Sequence, residues 1–88
     1  MLTRKTKFTD RINGELEDII VLYQLRYRVY GENYDRTLDY DYDIQGVSCY
    51  YEDGDGKKIK VRIPEIKELA NKHAHWDANS YLMEQYRL

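Results

Sequence analysis

Thr37-Leu38-Asp39-Tyr40-Asp41-Tyr42-Asp43-Ile44 alternates more strictly than any other stretch of this 88-residue chain. Successive side chains of an extended strand point to opposite faces, so Leu38, Tyr40, Tyr42 and Ile44 share one face and Asp39, Asp41 and Asp43 the other. One face reads as core and the other as a row of carboxylates. A strand with one buried face needs partner strands beside it and a second layer over it.

Downstream, Gln45-Gly46 interrupts the strand with a turn or bulge, and residues 47–52 follow as another short strand. Asp53-Gly54-Asp55-Gly56 is a hairpin loop on its turn chemistry. Residues 57–63 return with Ile59, Val61 and Ile63 inward and Lys58, Lys60 and Arg62 outward. Pro64 closes the sheet and suits the first turn of a helix, where a missing N–H costs nothing. Ile66, Leu69, Ala70 and His73 recur at helical spacing, which predicts an amphipathic helix over 65–75. Tyr81, Leu82, Gln85 and Tyr86 carry the pattern to the C-terminus, in the same helix or in a second one capped by Asp77 or Asn79.

Upstream, residues 15–30 admit two readings. As a helix they have an Asn13 cap, the acids Glu15, Glu17 and Asp18 in the first turn, Arg26 and Arg28 near the end and Gly31 just beyond. As a strand, Val21, Tyr23, Leu25, Tyr27 and Val29 alternate with Gln24, Arg26 and Arg28, whereas helical spacing scatters the apolar residues around the circumference. The alternation favours a strand over 19–30. Asn13-Gly14 suits a tight two-residue hairpin turn, which makes 8–12 a short edge strand and leaves 1–7 as a flexible basic N-terminus. Residues 32–36 form a polar connector. The expected fold is α+β: one domain over 1–88, an antiparallel sheet of about four strands, and a C-terminal helix or helical pair packed on one face.

Charged residues make up 34% of the chain and apolar ones 42%, a balance too apolar for disorder and too polar for a membrane protein. No apolar run reaches the roughly 20 residues of a spanning helix, and the basic start is followed by no signal-peptide core. The expected location is a cytoplasm, the host's if the chain is phage-encoded. Cys49 is the only cysteine, which excludes an internal disulfide and a cysteine-rich zinc site, and its neighbours suggest a small apolar residue in a strand.

Charge is segregated. Residues 32–56 hold eight acids, Glu32, Asp35, Asp39, Asp41, Asp43, Glu52, Asp53 and Asp55, against the single base Arg36, while the remainder holds eight acids and thirteen bases. Such asymmetry speaks of partners and fields.

Catalytic and cofactor templates fail. The 51–62 stretch begins with Tyr51 and ends with Arg62 where a calcium loop needs an acidic first ligand and a bidentate glutamate. The Gly54-to-Lys58 run lacks the spacing and hydroxyl of a phosphate loop. His73 and His75 point nearly opposite ways on a helix, and His73 with Asp77 makes two ligands, too few for a metal site. The expectation is a non-enzymatic protein with no cofactor and no metal.

What remains is an interaction surface. Asp39, Asp41 and Asp43 stand about 6.6 to 6.8 Å apart along a strand face, roughly twice the per-strand phosphate rise of about 3.4 Å in duplex DNA. Asp35, Glu52, Asp53 and Asp55 could supply a second row, with Tyr34 and Tyr50 among the contact residues, since tyrosine offers area at small entropic cost. The expected partner is a basic surface of a host protein that handles nucleic acid, such as a nuclease or CRISPR effector, bound by a DNA-mimicking inhibitor from a phage or mobile element. The alternatives are a nucleic-acid-binding domain using Arg26, Arg28, Lys57, Lys58, Lys60 and Arg62, ranked lower, and a subunit of a larger assembly or homodimer.

Overall fold

The structure is a computed structural model and describes residues 1–32 and 38–86. Four strands form one antiparallel sheet in the order β1-β2-β3-β4, with β1 at Leu2–Ile12, β2 at Glu15–Glu32, β3 at Leu38–Glu52 and β4 at Lys58–Lys60. The helix α1, Pro64–Tyr86, packs on one face. This is the α+β arrangement expected.

Asn13 and Gly14 make the β1–β2 turn with φ of 53° and 85°. Positive φ at both central residues matches the right-handed twist of the flanking strands. The turn sets the register that pairs Ile12 with Glu15 and Leu2 with Leu25. The expected edge strand therefore starts at Leu2, and residues 2–7 are paired strand, contrary to the reading of a flexible N-terminus. Its inward positions are Leu2, Arg4, Thr6, Phe8, Asp10 and Ile12. Three of those six are polar, which hid the alternation.

Residues 15–30 are strand, in line with their period of two. Ile19, Val21, Tyr23 and Leu25 are buried beneath the helix. Across β2 and β3 the partners run Leu22 with Ser48 and then Gln24 with Gln45, so Tyr23 alone opposes Gly46 and Val47. Gly46 takes φ of 62° at this bulge. The extra residue switches parity: Tyr42 and Ile44 before it, and Val47, Cys49 and Tyr51 after it, all pack on the helix side.

β4 is shorter than the expected 57–63. Val61 still bonds to Cys49 (N to O, 3.0 Å), but the chain then leaves the sheet, and the Ile63 carbonyl accepts the first helical bond from Lys67 at 2.9 Å. Ile63 is thus the helix cap, 39% exposed, and does not point inward. Pro64 is the first helical residue.

α1 is one helix of 23 residues. Ile66, Ala70, Ala74, Ala78 and Leu82 form its buried stripe at four-residue spacing. The three alanines let the helix backbone lie close to the sheet, while Leu69, His73, Asp77 and Tyr81 form a half-buried flank. Gln85 is exposed, outside the stripe the pattern suggested. Burying a side chain such as Leu82 contributes roughly 1.5–3 kcal/mol.

Candidate interaction surface

The helix covers one face of the sheet and leaves the other open. Rows of neighbours across the open face follow from the register: Lys7, Ile20, Tyr50 and Lys60 in one, and Lys5, Leu22 and Ser48 in the next. Ile20, Leu22 and Tyr50 are half-buried and the three lysines exposed. The ammonium of Lys58 lies 5.2 Å from the centroid of the Tyr50 ring, a cation–π distance.

Beyond Leu25, β2 has no β1 partner, and β4 pairs only with residues 50–52 of β3. The far parts of β2 and β3 are therefore a two-stranded ribbon. On its helix side, the Tyr40 hydroxyl donates to Asn79 Oδ1 at 2.8 Å, and Tyr42 lies 3.4 Å from His75 Nδ1. On its open side, Arg26 stands opposite Asp43 and Arg28 opposite Asp41, all four exposed. Directly opposed residues have Cβ atoms about 4.5–5.5 Å apart, near enough for their charges to offset one another. The ribbon thus carries two lanes, guanidiniums along β2 and carboxylates along β3, with a shallow groove of about 320 Å³ between them. Asp43 also accepts a bond from Gln45 Nε2 at 3.0 Å.

The residues singled out from sequence do not form one patch. Asp41 and Asp43 stand together, and Asp39 continues the same strand, although its side chain lies outside the described residues, as do Tyr34 and Asp35. Glu52, Asp53 and Asp55 sit at the other end of β3, on the order of 30 Å away at ~3.3 Å per residue, too far to make a second row beside the first. Asp53 is occupied locally: its Oδ1 accepts the backbone N–H groups of Asp55 and Lys57, both at 2.9 Å. That carboxylate builds the hairpin loop. Tyr50 is on the open face near this end, beside Lys58 and Lys60. Among the described residues no group of three or more histidines, cysteines or acids is placed to hold a metal ion. No described helix is long and apolar enough to cross a membrane.

Sequence reasoning missed the polar centre beneath the helix. Arg4 Nε donates to Asp77 Oδ2 at 2.8 Å, a weaker contact joins Arg4 Nη2 to Asp77 Oδ1 at 3.4 Å, and the Tyr23 hydroxyl donates to Asp77 Oδ2. Tyr81 places its ring 4.2 Å from the Arg4 guanidinium. Burial pushes the Asp77 carboxyl up, but the bonds from Arg4 and Tyr23 outweigh it and hold the group below the usual carboxylate range. Burial, and then the bond to Asp77, push the Tyr23 phenol well above its ordinary value. The signal was present as Asp77 on the lane of Leu69, His73 and Tyr81, opposite an inward arginine. On the same flank His73 stacks on Phe8 with ring centroids 4.5 Å apart, and Trp76 meets His73 edge-on at 4.9 Å.

Compared with known proteins, the chain matches no family model, no curated protein and no solved structure.

Proposed function

We propose that the protein is a non-enzymatic interaction protein that docks another protein along the open side of the β2–β3 ribbon. The observation that carries this reading is the pair of lanes, Arg26 and Arg28 beside Asp43 and Asp41, on a part of the sheet that neither β1 nor β4 flanks. A polymer of one charge sign meets repulsion from one lane or the other. A folded partner can present both signs, its basic groups to the β3 lane and its acidic groups to the β2 lane. By sequence, Glu32, Asp35 and Asp39 adjoin this ribbon with only Arg36 among them, which supports a partner whose dominant charge at the contact is positive, such as a nuclease, CRISPR effector or similar protein, and an inhibitory role for this chain.

A second reading has one specific observation in its favour: the row Lys7, Ile20, Tyr50 and Lys60 sets an aromatic ring between lysines on the open face, the arrangement that single-stranded nucleic acid uses. One set of variants separates the two. Tagged chain is used to recover partners from lysate of its native host, as wild type, as D41N/D43N and as R26Q/R28Q. In parallel, binding of a labelled single-stranded oligonucleotide is followed by anisotropy across a salt series. The ribbon reading requires one protein recovered by the wild type and lost with either pair, at unchanged circular dichroism. A protein recovered equally by all three sinks it. Oligonucleotide binding that tightens in D41N/D43N and weakens with salt establishes the second reading instead.

A further inference from the structure

We infer that the outer edge of β1 takes an extended acidic peptide as a fifth strand of the sheet, a contact separate from the β2–β3 ribbon and independent of its role. Among the described residues β1 is the first strand in the order β1-β2-β3-β4, with β2 on one side and no strand on the other, over the length Leu2–Ile12. A strand of that length at a sheet edge presents a row of backbone N–H and C=O groups to any chain able to pair with them.

Two features say what kind of chain fits. On the open face β1 exposes Lys5 and Lys7 beside the half-buried Leu22 and Ile20. An added strand would set its own alternate residues beside these lysines, so glutamates or aspartates two apart meet opposite charge. A second copy of β1 pairing antiparallel about this centre would set lysine near lysine, and such edge lysines are a device against self-association. The other feature lies on the helix side of the same edge. Phe8, a β1 residue, carries the stacked His73, and His73 carries Trp76, which is 60% exposed. This aromatic shelf borders the lane where the intervening residues of an added strand would lie, and it favours apolar ones. A large exposed indole joined through His73 to a β1 residue is the kind of aromatic anchor on which interfaces concentrate their energy. The recognised motif is therefore acidic and aliphatic residues in alternation.

Trp76 is the only tryptophan in the chain, so its fluorescence reports the site directly. The probe is a capped peptide of alternating valine and glutamate, titrated into the intact protein, with a valine–lysine peptide as its counterpart. A saturable change in Trp76 emission is expected with the glutamate peptide only, together with slowed amide exchange in β1. Affinity should fall about tenfold in K5E/K7E, since two part-exposed charge contacts reverse, and that variant should in turn accept the lysine peptide. W76A should weaken binding while leaving circular dichroism and β2–β3 amide protection unchanged. No saturable binding, or equal affinity of wild type and K5E/K7E for the glutamate peptide, overturns the inference. So does light scattering that gives a dimer whose β1 amides are already protected.

Discussion

Replacing Asp77 with alanine removes the one acceptor shared by Arg4 and Tyr23. The Tyr23 hydroxyl then has no carboxylate to donate to, on a residue only 1% exposed. A hydrogen bond to a charged group contributes about 1.5–3 kcal/mol. The Arg4 contact, with side chains 27% and 20% exposed, adds less, about 0.5–1 kcal/mol after solvent screening. Alanine is a better helix former than aspartate, which returns about half a kcal/mol. The expected loss is about 2–3 kcal/mol, or roughly 10–20 °C in Tm for a domain of this size. Urea unfolding followed by far-ultraviolet circular dichroism measures it, with Y23F as the companion variant in a double-mutant cycle. The pH dependence supplies an independent check. Because the folded Asp77 carboxyl ionises below its ordinary value, its contribution is complete above about pH 5 and drains away as the pH falls through the folded value. The gap between wild type and D77A should be constant from pH 7 to 5 and narrow below about pH 4. A loss under half a kcal/mol at pH 7, or a gap that widens in acid, refutes the idea that Asp77 tethers the helix to the sheet.

Tyr23 predicts a complementary loss at the alkaline end. Its phenol ionises later in the fold than in the open chain, so wild-type stability should hold to about pH 10 and decline above it, and Y23F should lack that decline in the same unfolding assay. Cys49 is 3% exposed and burial pushes its thiol up, so a thiol reagent should modify it only as fast as the protein opens, with a rate that rises in urea. Gly46 has nothing within 4 Å of an added Cβ but sits at φ of 62°. Alanine there should cost about 1 kcal/mol and valine more, through backbone strain alone, as read by Tm.

The parts of this fold that were legible in the sequence are those where one residue type has one use. Asn13-Gly14 specified a turn and Pro64 a helix start, while Gln45-Gly46 read as a turn or bulge ahead of a separate strand over 47–52, and the fold makes it a bulge inside the single strand Leu38–Glu52. The alternation of Val21, Tyr23, Leu25 and Tyr27 outweighed end signals that suited a helix, because a helix cannot bury that set on one side. Where a residue type has several uses, the sequence was ambiguous. Asp77 has the chemistry of a helix cap and of a buried acceptor, and only the packing of Arg4 and Tyr23 against it decides. Arg4 and Thr6 made the first strand look like a basic tail, since the partner that makes an inward arginine tolerable is 73 positions away. Asp53 looked like a surface acid, and its carboxylate is spent on the turn that follows it.

The candidate surface depended on a quantity no single strand contains, the register between strands. Alternation placed the aspartates on one face, and it placed Arg26 and Arg28 on one face, but it did not say that these are the same face or that the residues are opposed. The bulge at Gly46 matters most here, because it reverses which positions of β3 look outward. Before it the odd-numbered Asp41 and Asp43 face away from the helix, and after it Ser48 and Tyr50 do, while Cys49 turns in. Without that extra residue, the hydrophobic set after Gly46 would face solvent and Tyr50 would leave the lysine row. One glycine thus lets an acidic lane at one end of β3 and an aromatic–lysine row at the other share a single open face, and that is why two different kinds of partner can be weighed for one small sheet.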